Sequence, residues 1–249
     1  MQYTVESDVG LKRAINEDRA AFFRRPDGFA LALIADGMGG HNAGDVASEM
    51  AVKQMEAIFL QAETHQFASI TLKNEWLLQT IKQLNTNIYN YSLSHEDCKG
   101  MGTTLIAVLI EGSHCFIAHV GDSRVYHFYE DGAQQITKDH SYVNVLVENG
   151  EISEEEALTH PKKNFILKSL GTEETIEPDF YEVELQASSY LLICSDGLSN
   201  KLSMAEMVAI LAYPSSLKKK GQQLVHLANV SGGEDNISLV LLTAQEEEV

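Results

Sequence analysis

Apolar residues follow two kinds of spacing along this chain, and each predicts a different element. Residues 29–35 are one continuous apolar run that ends at Asp36-Gly37. Such a run predicts a strand buried on both faces, with a turn at Gly37. Residues 103–110, 115–120 and 124–129 are β-rich runs parted by short turns containing Gly or Asp, the pattern of a meander. Residues 181–185 and 190–194 predict a hairpin-like pair, 237–242 a closing strand, and 20–23 a short early strand. Ala47, Met50, Ala51, Met55, Ile58 and Phe59 recur instead at helical spacing, as do Leu77, Ile81, Leu84, Ile88 and Tyr91. These are two long amphipathic helices with their stripes in the core; residues 203–212 and 218–229 predict two more. Runs of strands followed by runs of helices argue for an antiparallel α+β fold rather than a Rossmann-like alternation.

Residues 141–171 break this regularity. Ser153-Glu154-Glu155-Glu156 is a capping box with acidic residues in the first helical turn, and Pro161 stops that short helix. A connection this long inside a compact domain is usually functional, so we expect a flap over a site.

Length and composition narrow the picture. The chain has 249 residues and four prolines, with no linker, no internal repeat and no low-complexity block beyond Glu246-Glu247-Glu248. One domain over 1–249 is the expectation. Eighteen basic against 36 acidic residues leave a formal charge of −18. Such a surface repels phosphate backbones and anionic lipid, so neither nucleic acid nor membrane is an expected partner. Cys98, Cys115 and Cys194 make no disulfide framework, which fits a reducing compartment. With no signal-peptide pattern and no membrane-length apolar run, the expected location is the cytoplasm.

The acidic residues share a local grammar. Asp36-Gly37, Asp122 in Gly121-Asp122-Ser123-Arg124, Asp196-Gly197 and Asp235-Asn236 each adjoin a predicted strand end, and Asn16-Glu17-Asp18 precedes another. One Asp-Gly is ordinarily just a turn. Four at strand ends would repel one another unless cations or protons neutralised them. All-oxygen ligands suit Mg²⁺ or Mn²⁺, whereas zinc would want His or Cys at metal spacing. His41, His119, His127, His140 and His160 are scattered, and none is assigned as a ligand. Two such metals about 3.5–4 Å apart can share a bridging hydroxide, which best matches in-line hydrolysis of a phosphate ester. Arg13, five residues before Asp18, is either a bidentate grip on the phosphate or a solvated surface charge.

Read in order, these words resemble a known family. Arg13-Ala14-Ile15-Asn16-Glu17-Asp18 and Asp36-Gly37-Met38-Gly39-Gly40-His41 are similar to the opening motifs of the type-2C metal-dependent (PPM) protein phosphatases in their bacterial form. Gly102-Thr103-Thr104, Gly121-Asp122-Ser123-Arg124, Thr137-Lys138-Asp139-His140-Ser141, Ser195-Asp196-Gly197-Leu198 and Asp235-Asn236 follow in the family's order. The resemblance implies an αββα sandwich of two antiparallel sheets flanked by helix pairs. It implies a hydrolase that removes phosphate from phosphoserine and phosphothreonine in proteins through a metal-bridged hydroxide, in signalling opposite a Ser/Thr kinase and on that kinase's substrates.

Carried over by position, Asp36 bridges two metals, the Gly37 carbonyl binds the second, and Asp196 and Asp235 bind the first. Glu17 and Asp18 act near the second metal through waters, and Arg13 grips the substrate phosphate. Asp122 with Asp196 forms a third metal site, Asn236 supports from behind, and 141–171 is the flap. The chain departs from the pattern at three positions. Met38 stands where many eukaryotic members carry a His proposed as general acid, so a metal-bound water is expected to protonate the leaving group. Ile15 replaces an Asn, and Lys168 stands where an Arg is common. Two rivals belong to other classes. A catalytically dead phosphoprotein-binding relative is disfavoured because every metal position is filled, and a phosphodiesterase or nuclease because of the −18 charge.

Overall fold

A computed structural model describes residues 1–39 and 43–244. Gly40 and His41 of the glycine-rich motif, and the acidic end Glu246-Glu247-Glu248, lie outside the described residues. The chain opens with strands β1 (Gln2–Asp8), β2 (Asp18–Arg24) and β3 (Phe29–Met38), then helices α1 (Gly44–Gln61) and α2 (Ile70–Ser94). Five strands follow: β4 (Gly102–Thr103), β5 (Leu105–Glu111), β6 (His114–Val120), β7 (Arg124–Tyr129) and β8 (Gly132–Gln135). Helices α3 (Tyr142–Glu148) and α4 (Glu154–Thr159) precede β9 (Asp179–Glu184) and β10 (Tyr190–Cys194). Helices α5 (Asp196–Ser199), α6 (Met204–Ala212) and α7 (Leu217–Val230) lead to β11 (Ile237–Thr243).

Two antiparallel sheets result. One runs β1-β11-β10-β7-β8; the other runs β2-β3-β5-β6-β9, with β4 added to the end of β3. Strand alternation explains the unbroken apolar runs. On β3, Ala30, Ala32 and Ile34 face the opposing sheet, while Leu31, Leu33 and Ala35 face α1 and α2. On β11, Val240 and Leu242 point between the sheets, and Ile237, Leu239 and Leu241 pack against the layer of α6 and α7. Three apolar layers therefore separate four layers of structure: this is the expected αββα sandwich.

Four local expectations are corrected. Strand β3 does not turn at Gly37 but continues to Met38, because Gly37 pairs with Thr103 on β4. The run at 103–110 breaks at Thr104, whose N–H and hydroxyl are diverted to the backbone of Asp36. The meander ends at β6: the Gly121–Ser123 turn carries the chain into the other sheet, where β7 pairs with β10 and β8. Likewise β9 and β10 are not a hairpin, since β9 pairs with β6 and β10 with β7 and β11. Strands β6 and β10 are buried on both faces, so periodicity alone could not say which sheet their neighbours would join.

Candidate active site

Antiparallel pairing gathers the acidic words at one end of the sandwich. Asp18 opens β2 directly opposite Asp36 near the end of β3. Asp8 at the end of β1 pairs with Ile237 at the start of β11, which brings Asp235 to the same edge. Cys194 at the end of β10 pairs with Arg124 at the start of β7, so Asp196 and Asp122 leave from neighbouring strand ends.

The backbone here is closely interlocked. Asn236 Oδ1 accepts the N–H of Glu17 at 2.8 Å, and its Nδ2 donates to the carbonyls of Val9 and Ile15 at 2.9 and 3.0 Å. It thus ties the loop carrying Arg13 to the strand end carrying Asp235. The Glu17 carbonyl accepts from Gly37 N–H at 3.2 Å and from Ser48 Oγ at 2.5 Å. A Cβ on Gly37 would stand 2.1 Å from the carbonyl oxygen of Gly44, so only glycine lets the first turn of α1 approach β3 this closely. That approach also brings the positive end of an 18-residue helix dipole to an acidic site. Gly10, at φ +80°, passes so near Asp235 that a Cβ there would meet its carbonyl oxygen at 2.2 Å.

Electrostatics make the cluster costly to hold as bare carboxylates. Burial, then the neighbouring Asp18, Asp196, Asp122 and Asp235, hold the Asp36 carboxyl well above the usual range. Asp18, only 2 % exposed, is pushed up to about 7, chiefly by burial and then by Asp196 and Asp235, although Ser195 and Ser238 pull it down. Burial also raises Asp196, with Asp235 adding to it; Asp196 and Asp36 lie within hydrogen-bonding reach of each other. Glu17 is raised by burial and by Asp45 and Asp235, against the pull of Arg13 and the Gly44 N–H.

Among the described residues no three His, Cys, Asp or Glu side chains converge as a ready-made ligand set. Asp235 leans to Arg13, Asp196 accepts from Asn200 at 3.0 Å, and Asp18 accepts from Ser195 at 2.7 Å. The donor chemistry nevertheless fits a hard divalent cation. Oδ1 of Asp18 and Oδ1 of Asp122 are buried with no hydrogen-bond partner, a costly arrangement that a cation would relieve.

Arg13 reaches the cluster through Nη2, which donates to Asp235 Oδ2 at 2.8 Å, and 48 % of its side chain remains exposed. Glu17 and Asp36 add to its electrostatic hold. Asp122 is 8 % exposed and is raised by burial, Asp196 and Asp139. Arg124 does not hydrogen-bond it; its guanidinium instead grips Asp139 through Nε at 3.0 and 3.1 Å and Nη2 at 2.7 Å. Beside Asp122 and Asp196 lies a cavity of about 320 Å³, walled by Val143, Ala157, Leu158, Lys163 and Asn164 from the 141–171 segment.

Several supports carry no role in the sequence reading. Thr104 Oγ1 accepts the Asp36 N–H at 3.0 Å and is 2.8 Å from Ser123 Oγ, while Thr103 Oγ1 donates to the Asp36 carbonyl at 3.0 Å. Ser195 Oγ reaches Asp18 and also accepts the Ser238 N–H at 3.0 Å. Thr103, Thr104, Ser123 and Ser195 sit inside the motifs Gly102-Thr103-Thr104, Gly121-Asp122-Ser123-Arg124 and Ser195-Asp196-Gly197-Leu198, which was the available signal; Ser48, Asp45 and Ser238 had none.

Comparison with known proteins agrees with this geometry. The protein phosphatase 2C family matches residues 12–230. The chain is 43% identical over 242 residues to the serine/threonine phosphatase stp of Listeria innocua, covering 97% of this chain and 95% of that one. It is 38% identical over 248 residues to the protein phosphatase PhpP of Streptococcus pneumoniae, covering 100% and 99%. The solved S. agalactiae serine/threonine phosphatase superposes with a TM-score of 0.93 at 39% identity, covering 98% of this chain and 99% of that one.

Proposed function

This chain belongs to the protein phosphatase 2C family and is a metal-dependent protein serine/threonine phosphatase, and from that premise we propose which of its residues do the work. Asp36, the Gly37 carbonyl, Asp196 and Asp235 would hold two Mg²⁺ or Mn²⁺ ions, with Glu17 and Asp18 beside the second. Asp122 and Asp196 would serve a third. When bound, such ions lower the pKa of water at the site and neutralise charge on the phosphate. The observation that carries this reading is the set of buried carboxylates at one strand edge, two with unpartnered oxygens.

The chain's own residues position the ester. Arg13 offers a planar guanidinium that is half exposed and held at the cluster's rim by Asp235, so its remaining N–H groups can bind phosphate oxygens. Asn236 and Thr104 keep the Glu17 and Asp36 backbones in place, as preorganised charge stabilisation requires. Met38 has no proton to give, so water within the site protonates the leaving oxygen. The residues of 141–171 serve as the flap, walling the cavity beside Asp122 and excluding bulk solvent. We read 1–249 as one catalytic domain that acts in the cytoplasm against a Ser/Thr kinase. Among the described residues, no helix is long and apolar enough to cross a membrane.

Hydrolysis of p-nitrophenyl phosphate tests the site. Activity should require Mn²⁺ or Mg²⁺ and stop with EDTA, and Asp36→Ala should lose at least about 10³-fold in kcat by removing the ligand shared in a two-metal clamp. Full turnover in a chelated sample would sink the mechanism.

A further inference from the structure

The stretch Thr137-Lys138-Asp139-His140-Ser141 supplies no ligand in the proposed site, yet its side chains are spent on neighbouring structure. Thr137 Oγ1 accepts the Val125 N–H at 3.0 Å, Asp139 binds Arg124, and Ser141 caps α3 by accepting from Asn144 N–H. His140 does something more specific. Its N–H donates to the Gly121 carbonyl at 2.8 Å, and its Nδ1 accepts the Gly121 N–H at 3.1 Å. Both polar backbone groups of the residue before Asp122 are thus satisfied by this one histidine. The His140 carbonyl accepts from Leu167 N–H at 2.7 Å, which binds the returning limb of the 141–171 segment to the same point.

Gly121 needs such a partner. Its φ of +116° is a conformation other residues avoid, and a Cβ there would meet the Thr104 side chain at 2.6 Å. Thr104 in turn holds the Asp36 backbone. The Gly121 turn therefore sits between the two carboxylate-bearing strand ends, and its placement sets where the Asp122 carboxylate lies.

The bond from Gly121 also dictates the histidine tautomer. A ring nitrogen that accepts carries no proton, so the proton of neutral His140 resides on Nε2. Nε2 lies 3.2 Å from Asp179 Oδ2 on β9, close enough for charge attraction but not aligned as a hydrogen bond, and the ring side chain is only 9 % exposed. The other groups around the ring are His119, stacked at a centroid distance of 4.8 Å, and Lys168, whose Nζ is 3.8 Å from Asp179 Oδ1. The two bonds to Gly121 tie the ring to the turn, and the Asp179 carboxylate beside Nε2 favours a proton on that nitrogen by charge alone.

We propose that His140 is a positioning residue for the phosphatase reaction: held as the Nε2–H tautomer by its bond from Gly121, it sets the turn that presents Asp122. Its effect on turnover rests on the proposed role of Asp122; its effect on the turn does not.

The experiment separates the two. Long-range ¹⁵N–¹H spectra of metal-free wild-type protein near pH 8 should show His140 Nδ1 unprotonated and Nε2 protonated. His140→Asn places an amide oxygen near the position of Nδ1 and should keep both slow exchange of the Gly121 amide and near wild-type kcat. His140→Phe keeps the ring and loses the acceptor. Gly121 exchange should rise about tenfold, on the scale of one lost hydrogen bond. Its kcat should fall about 10-fold or more while KM for p-nitrophenyl phosphate holds, the size expected when an outer partner of a ligand is removed. An Nδ1–H tautomer in wild type would overturn the proposal without any variant. So would equal behaviour of the Asn and Phe variants, in exchange or in kcat. If Asp122→Ala retains wild-type kcat and Mn²⁺ dependence while the tautomer and the exchange pattern stand as expected, the reading of Asp122 fails and the placement of the turn by His140 survives.

Discussion

Asp18 and Asp36 stand directly opposite each other across the β2–β3 pair, two like charges at a cross-strand position. Such a pair destabilises a sheet, and here burial makes it worse. The fold tolerates it because the strands on either side are apolar and register is pinned by their packing: a one-residue slip would turn Ala32 and Ile34 out of the layer between the sheets. The pair costs stability at this edge, and a cation bound there would relieve it.

That relationship predicts a trade between stability and metal response. Asp36→Asn should be more stable than wild type in EDTA at pH 8, by about 1–2 kcal/mol, because it removes a carboxyl that the fold must either bury charged or protonate at a cost. Adding Mn²⁺ should raise the wild-type melting temperature, as any ligand of the native state does, and leave the variant nearly unmoved. Urea melts with and without Mn²⁺ check both halves; a variant less stable in EDTA and equally responsive to Mn²⁺ would remove Asp36 from the site.

Arg13→Ala should raise KM and lower kcat, with about 2–4 kcal/mol lost in kcat/KM, the scale of one preorganised charge-stabilising donor. The Asp235 partner left behind is partly exposed, so water can solvate it and the fold should persist. An unchanged kcat/KM in a folded variant would return Arg13 to the status of a surface charge.

For Asp122→Ala the expectation is an intact fold and a lower kcat on phosphopeptides that extra Mn²⁺ does not restore. Because Arg124 is already held by Asp139, the substitution strands no unpaired guanidinium. Circular dichroism with phosphopeptide kinetics over a Mn²⁺ series measures this. Recovery of the full rate at high Mn²⁺, or wild-type turnover throughout, argues against a third ion at Asp122.

His119 predicts a pH dependence of stability. It is fully buried, and burial, aided by the neighbouring His140, pushes it down to about 3. An unfolded histidine titrates near 6.5, so between about 6.5 and about 3 the unfolded chain binds a proton that the folded chain refuses. Stability from this residue is therefore lost as pH falls through that window, with a limiting slope of about 1.4 kcal/mol per pH unit. The site carboxylates, raised in the folded state, act in the opposite sense. The difference between wild type and His119→Phe in matched buffers isolates the histidine; parallel pH profiles for the two proteins would contradict the assignment.

Much of this was legible in the chain. The apolar run at 29–35 and the helical stripes from Ala47 and Leu77 lie in β3, α1 and α2, because residue periods of two and near 3.6 are properties of local backbone geometry. The grammar of Asp beside Gly or Asn at strand ends was readable for the same reason: turn chemistry is decided by neighbours in sequence.

Partners distant in sequence were not legible. That β7 leaves the sheet of β6, that β9 returns to it, and that Arg124 takes Asp139 rather than Asp122 all depend on which apolar faces bury one another. So does the hydrogen bond from Ser195 to Asp18, which spans 177 residues of chain. The sequence by itself determined which carboxylates would sit at strand ends and that, gathered together, they would repel unless cations or protons neutralised them. Only the tertiary structure decided which serine, threonine or histidine steadies each one, because a hydrogen bond needs donor and acceptor within about 3 Å and chain spacing sets no such distance between remote strands.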